Sequence, residues 1–491
     1  MKVEPVRGIL LPVFSLPNAY DIGNFGASAY RWIDLLKKIH LNAWQICPLG
    51  PTGFGNSPYQ PLSELALNPL FIDIDDLYKR GWISQKAWDN LKGTQGNVCY
   101  DTYKAKQQPA LLQAYEVFIQ QPNESFEAFK QQQGRWVEIF ATFCALKIKF
   151  GERPWWEWPK EFQCYTAKEV QNYRKSYRKM IDFYIFQQWL LSDQWKALHD
   201  YAQQQGITLI GDIPLYVGLD SATVWESRIL FDWDMVHDRP KHVAGVPPDY
   251  FSKDGQLWGN PLYRWNYHSS TGFQWWIQRI RKNFEWCDVL RLDHFRGLYD
   301  FWAVPYGEKT AQKGQWCPGP QKAFFDALKQ QWPHMPFILE DLGDLHKEVR
   351  DFQRSLNIPG MAILQFAFSD DNNPYLPCHW SANQVVYTGT HDNNTSRGWY
   401  SQLSKTEKSK VCSYLSKTKI TPANISAELI QWGLRHCSTQ HFIVPAQDLL
   451  NLDASARTNT PGTIGANWQW RFHETDWEKF EEAIHKITDN S

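Results

Sequence analysis

The sequence predicts an α/β chain folded as a (β/α)8 TIM barrel with helical and loop insertions on its C-terminal rim. Two observations carry that expectation. Apolar runs of strand length recur along the chain, separated by stretches of helical periodicity, which is the pattern of parallel strands joined by crossover helices. Four of those runs end in an acidic residue: Asp212, Asp293, Glu340 and Asp392. In such a barrel the C-terminal ends of all strands form one rim where active sites are built, so four distant positions in sequence become neighbours.

The first strand is Gly8 to Phe14, bounded by Gly and Pro. Trp32, Leu35, Leu36 and Ile39 then form one buried helical stripe, and Asn42 to Leu49 is the second strand. After the Gly- and Pro-rich loop Pro51 to Pro61 the alternation stops. Residues to about 200 are helical and polar in pattern, too long for one crossover, so an insertion of about 54–200 separates the second and third strands. The third strand is Ile207 to Val217, with Pro214 ending its pairing. A second, aromatic insertion covers 221–285. The fourth strand opens V-L-R-L-D-H-F-R-G (Val289 to Gly297), with Val289, Arg291 and Asp293 on one face. Phe337 to Leu342, Met361 to Phe368, Val385 to Asp392 and Phe442 to Leu450 complete the eight. Thr475 opens a terminal helix with Glu478 in capping-box position and Trp477, Phe480, Ile484 and Ile487 as its apolar stripe. The whole of 1–491 reads as one catalytic barrel.

Composition narrows the partners. The formal net charge is -1 and no basic block is present, which argues against nucleic acid and anionic membranes and for a neutral substrate. The chain has 26 Trp, 22 Tyr and 28 Phe, and many sit beside Gly, Pro and Asn in loops, where amphipathic rings suit the apolar faces of sugars. Tyr59 and Trp258 are the expected stacking platforms. Nine unpatterned cysteines suggest free thiols in a reducing compartment. No apolar run approaches the roughly 18 residues of a membrane span, and Glu4, Pro5, Pro12 and Pro17 break any signal-peptide pattern. A cytoplasmic protein is expected, with its oligomeric state left open.

An Arg two places before an Asp on one strand face needs polar neighbours, because an unpaired buried ion is costly. A structural ion pair meets that need, and so does an active site. Like-charged groups gathered without a task repel, so four carboxylates on one rim favour the active site. Two carboxyl groups across a rim suit glycoside chemistry, one as nucleophile and the other as acid and then base. A metal site with His294, His391 or His237 as further ligands is the competing use. On a regular strand, however, a histidine next to the aspartate points to the opposite side. That leaves His294 and His391 as donors to a bound polar ligand or as core residues. No metal is expected.

These residues resemble a known family. Asp212 in G-D-I-P, Arg291 and Asp293 in R-L-D-H-F-R-G, Glu340 in L-E-D-L-G and Asp392 in T-H-D-N-N-T are similar to the four short regions of the α-amylase superfamily. Longer text narrows this: Pro247 to Tyr263, S-P-Y-Q-P (Ser57 to Pro61), and R-T-N-T-P-G-T (Arg457 to Thr463) followed by Asn467 and Trp468 resemble the 4-α-glucanotransferases called amylomaltase or disproportionating enzyme. The likeness runs collinearly from about residue 5 to 485. It implies retaining transfer of α-1,4-glucan segments between malto-oligosaccharides, without a cofactor, with Asp293 as nucleophile, Glu340 as general acid/base and Asp392 as transition-state stabiliser. It further implies substrate contacts from Tyr59, Asp212, Asp249, Trp258, Asn260, Arg291, His294, Asp341, His391, Asn459 and Pro461. Arg291 is expected to keep Asp293 ionised, and the neighbouring carboxylates to raise the pKa of Glu340. Since transfer requires that water be kept from the intermediate, the loop Ala244 to Tyr263 is expected to hang over the rim on Gly245, Gly255 and Gly259 as hinges.

Overall fold

The computed structural model describes residues 6–94, 96–248, 253–343, 345–437 and 440–488. Eight strands form one parallel sheet: β1 (Arg7–Leu10), β2 (Ala43–Gln45), β3 (Thr208–Ile213), β4 (Val289–Leu292), β5 (Phe337–Leu339), β6 (Gly360–Ile363), β7 (Gln384–Tyr387) and β8 (His441–Pro445). Their order is β5-β4-β3-β2-β1-β8-β7-β6. The two ends meet where the Leu339 N–H donates to the Pro359 carbonyl at 2.7 Å, which brings β5 against β6 and closes the barrel.

Strand alternation sorts the side chains into two layers. Leu10, Ala43, Ile210, Ile338, Met361, Ile363, Val385, Tyr387 and Ile443 pack together inside the barrel. Their sequence neighbours, among them Ile9, Trp44, Leu209, Leu290, Leu339, Val386 and Phe442, face the surrounding helices. On β4 this alternation sends Leu290 and Leu292 outward and Arg291 inward, where it is paired in register with Asp212 of β3 and Ile338 of β5. Across the interior the Tyr387 hydroxyl donates to Gln45 Oε1 at 2.8 Å, so the space under the rim is filled.

Every barrel strand is shorter than the sequence suggests. Beyond Leu10 the chain turns into a 3-10 turn at Val13–Ser15, beyond Ile363 into another at Leu364–Phe366, and beyond Pro445 into the helix Ala446–Leu449. Val13, Phe14, Leu364, Ala446 and Leu449 of these turns are buried like the strand residues, and apolarity alone does not separate a buried strand from a buried turn. The terminal helix Asp476–Thr488 buries Trp477, Phe480, Ile484 and Ile487 as expected. At its first turn it is the Asp476 carboxylate that accepts the His473 N–H, at 3.0 Å.

The first insertion is helical throughout. Its last helix, Arg178–Gln204, packs Phe183 and Phe186 against Tyr115 of the insertion and, further along, Trp195 against Phe25 next to the barrel. The second insertion contains strands where the sequence predicts a loop. His242–Val246 and Gln256–Pro261 are paired strands of a four-stranded antiparallel sheet, which Asp300–Pro305 and Gln315–Pro318, both after β4, complete. Residues 244–246 and 256–261 of that segment are therefore strands held on a sheet. Gly245 serves close packing there, since a Cβ would lie 2.5 Å from the Gln256 carbonyl oxygen. Among the described residues no helix is long and apolar enough to cross a membrane.

Candidate active site

Arg291 is the centre of the rim. Its guanidinium is almost wholly inaccessible and meets three carboxylates: Nη1 lies 2.6 Å from Asp212 Oδ2 and 3.2 Å from Asp293 Oδ1, and Nη2 lies 3.2 Å from Glu340 Oε2. The fork geometry of an arginine is what allows one buried cation to serve several acceptors. Strand β4 ends at Leu292, and the chain then turns sharply through His294, a non-glycine residue with φ of 48°. That turn aims the His294 N–H at Glu340 Oε2, at 2.5 Å. Left-handed backbone at such a residue is costly and is found where the surrounding structure dictates it.

Electrostatics corrects the expected protonation. Burial pushes the Asp293 carboxyl well above the usual carboxylate range, reinforced by the charge of Glu340 and a hydrogen bond with it. Burial also acts to raise Glu340, but Arg291 and the His294 N–H outweigh it and hold Glu340 below its ordinary value. Within this pair the neutral form is therefore favoured at Asp293 over Glu340, opposite in direction to the sequence expectation. The expectation missed that Arg291 also reaches Glu340. Burial likewise raises Asp212 despite Arg291, and it lowers His294 to about 4, leaving that imidazole neutral near pH 7.

Asp392 stands on the other side of the rim, beyond β7. Asn459 Nδ2 donates to its Oδ1 at 2.6 Å, Arg457 Nη2 donates to its backbone carbonyl at 2.5 Å, and His391 Nε2 lies 3.5 Å from its Oδ2. A ring stack joins this side to the β2 loop: Tyr59 lies parallel to His391 at 5.2 Å, and Trp468 is tilted against both. The Tyr59 hydroxyl donates to Asp212 Oδ2 at 2.9 Å. One face of this supposed sugar platform is thus covered by a histidine. Trp258 meets the edge of His294 at 4.9 Å, with Tyr216 beside both.

The histidine argument from strand alternation fails because both strands have already ended. His294 and His391 lie beside the carboxylates, and among the described residues His391 Nε2 and Asp212 Oδ1 are buried polar atoms without a hydrogen-bond partner. Such atoms are poised to receive a polar ligand. His237 instead pairs with Asp234 on an exposed turn, at 2.6 Å. Among the described residues no three His, Cys, Asp or Glu side chains are arranged to hold a metal ion.

Two of the expected ligands also brace the fold. Buried Asn260 donates to the Val217 carbonyl at 2.8 Å and accepts from Gln60 at 2.9 Å, tying the hairpin to the loops after β2 and β3. Asp341 accepts the Met361 N–H at 2.7 Å and fills the space where a Cβ on Gly360 would stand, which fastens β5 to β6. Burial raises its pKa to about 6. Pro461 is exposed on the loop that carries Asn459, and Asp249 lies outside the described residues. Nothing local in the sequence singles out Gln60, Tyr216 and Arg457; only the apolar or loop text around them marks their neighbourhoods. A cavity of about 590 Å³ opens beside the rim between the 51–62 loop and the insertion helices, with Gln60 and Trp258 on its border and none of the four rim carboxylates in its wall.

A parallel barrel whose rim gathers paired carboxyl groups around one arginine, with aromatic rings beside them, defines a class of glycoside-bond-processing enzymes. The chain belongs to the family Glyco_hydro_77, 4-alpha-glucanotransferase, whose model matches residues 11–476. It is 40% identical over 463 residues to a 4-alpha-glucanotransferase of Clostridium butyricum, covering 94% of each chain. It is 38% identical to the chloroplastic/amyloplastic 4-alpha-glucanotransferase of Solanum tuberosum, covering 98% of this chain and 85% of the relative. Among solved structures it is similar to the amylomaltase from Streptococcus agalactiae in complex with acarbose, with a TM-score of 0.94, 35% identity and 99% of both chains covered. The chain is a transferase of α-1,4-glucan segments.

Proposed function

We propose that the transfer is retaining and proceeds through a glucosyl ester on Asp293, with Glu340 as the acid that protonates the leaving oxygen and later the base that activates the acceptor 4-hydroxyl. The observation that carries this reading is the Arg291 fork, which holds Asp293 and Glu340 close enough to share a hydrogen bond. Closely spaced carboxyl groups belong to the retaining geometry, whereas inversion needs room for a water. For reaction the shared proton must reside on Glu340. A sugar ring entering between the two carboxyls separates them, and ester formation at Asp293 requires its ionised form. Asp392, its carboxylate held by the Asn459 amide and its backbone by Arg457, is suited to hydroxyls that bind more strongly as the ring flattens. His391 and Asp212 supply free polar atoms to the same sugar.

The saccharide in the Streptococcus agalactiae complex supports an α-glucan as the occupant of this rim. We take the barrel and both insertions as one catalytic unit, because helix Arg178–Gln204 belongs to both and the antiparallel sheet joins segments after β3 and after β4. Nine free cysteines favour a reducing compartment such as the cytoplasm. The decisive experiment is incubation with maltotriose. Glucose plus a ladder of longer oligomers, with the number of reducing ends unchanged, is the expected result; a steady rise in reducing ends would make the enzyme a hydrolase instead.

A further inference from the structure

We propose that Asp448 is a positioning residue for transfer, acting through the loop that carries Asp392; the proposal rests on the stabilising role given to Asp392 above. Asp448 lies in the short helix after β8 and is 1% exposed. Its Oδ1 accepts the Ser396 N–H at 2.6 Å, and its Oδ2 accepts the Thr388 hydroxyl at 2.6 Å and the Ser396 hydroxyl at 2.7 Å. Thr388 is the first residue beyond β7, and Ser396 is the first residue of the helix Ser396–Gln402. One carboxylate therefore clamps both ends of the segment that has Asp392 at its middle.

The rest of that segment is held from within. Asn393 Oδ1 accepts from the Thr390 N–H at 2.8 Å and from its hydroxyl at 2.9 Å, and the Thr390 hydroxyl accepts the Asp392 N–H at 3.2 Å. The residue before Asp448 acts on the opposite loop. Gln447 Nε2 donates to Thr458 Oγ1 at 2.8 Å and to the Ala456 carbonyl at 3.2 Å, next to Arg457 and Asn459, which reach Asp392. Two consecutive residues at the end of β8 thus fix the two loops that converge on Asp392. A fully buried carboxylate whose three partners are neutral donors is an expensive way to fill a core, and an apolar residue would serve packing alone better.

The test uses four variants of the full chain: Asp448→Ala, Asp448→Asn, Asp392→Asn and the double variant Thr388→Val/Ser396→Ala. Each is measured for kcat and KM with maltotriose and for Tm. Because a displacement of about 1 Å at a reacting group costs on the order of 10²-fold, Asp448→Ala is expected to lower kcat by about that factor with KM changed less than about threefold. Asp448→Asn is expected to restore kcat to within about fivefold of the parent, since its amide oxygen accepts the Ser396 N–H and its NH2 donates to the two hydroxyls, which rotate to accept. The double variant keeps the carboxylate and is expected to fall between. A folded Asp448→Ala with parental kcat overturns the proposal, as does an Asp448→Asn no better than Asp448→Ala. If Asp448→Ala does not fold, a parental kcat in the double variant overturns it. Parental activity in Asp392→Asn would instead remove the reading of Asp392, and the proposal with it.

Discussion

The two halves of the rim are built on different physics. Around β3, β4 and β5, three carboxylates share one buried cation, and position follows charge: Asp212, Asp293 and Glu340 all reach toward Arg291. Around β7 and β8, Asp392 is held by the Asn459 amide and by Arg457 bound to its backbone carbonyl, while Asp448 works through an N–H and two hydroxyls. The first half sets protonation; the second sets place. On the proposed mechanism a glycosyl transfer needs both, because Asp293 and Glu340 must hold one proton between them while Asp392 is kept at a fixed distance from the ring.

The sharpest way to break the charged half is to remove one member of the pair. Asp293→Asn or Glu340→Gln should each lower kcat on maltotriose by about 10³ to 10⁴-fold while leaving Tm and glucan binding near the parent values, because each group acts on charge that develops in the transition state. Either variant with near-parental disproportionation would reassign the roles.

Arg291→Lys comes next, expected at about 10²-fold in kcat, since an ammonium lacks the fork that reaches three acceptors. It also sharpens the protonation account. Arg291 helps hold Glu340 below its ordinary value, so in the parent the acid limb of kcat/KM lies low: activity persists as pH falls and is lost only through that depressed pKa. Asp293 is raised, so the single shared proton is retained as pH climbs, and the alkaline limb lies above the usual carboxylate range. Weakening the cation should move the acid limb upward. A pH profile unchanged in Arg291→Lys would show that Glu340 is depressed by something else.

The neutral half should yield smaller effects. Asn459→Ala deletes one neutral donor to Asp392 and is expected to cost about tenfold in kcat, the scale of one hydrogen bond of about 1 to 1.5 kcal/mol, with little change in the pH profile. A shifted acid limb there would mean the two halves are electrostatically coupled. The smallest expected effect is none: exhaustive chelation should leave turnover unchanged, and loss of activity restored by one divalent ion would bring a metal back into the chemistry.

Much of this site was legible before the fold. The four acidic strand ends came from counting apolar runs, and the Arg291–Asp293 pair came from strand periodicity. The braces were not legible. Asn260 and Asp341 occur in the motifs that carry the family resemblance, and only their partners, Val217, Gln60 and Met361, reveal that they tie elements together. Asp448 sits in a run read as a continuing strand, where its carboxylate had no visible reason to exist.

By itself the sequence determined the number and direction of the barrel strands, because strand and helix periodicities are local and repeat within a few residues. It also determined which carboxylates share the rim, since that follows from strand direction alone. Only the tertiary structure decided where each strand stops, that His294 and His391 turn into the site, that His242–Val246 and Gln256–Pro261 join an antiparallel sheet, and which carboxyl group of the pair is pushed up and which is held down. Each of these depends on groups far apart in sequence: strand pairing across more than forty residues, an arginine shared by strands β3, β4 and β5, and burial supplied by both insertions. Local patterns carry no record of which distant neighbour supplies the compensating hydrogen bond or charge.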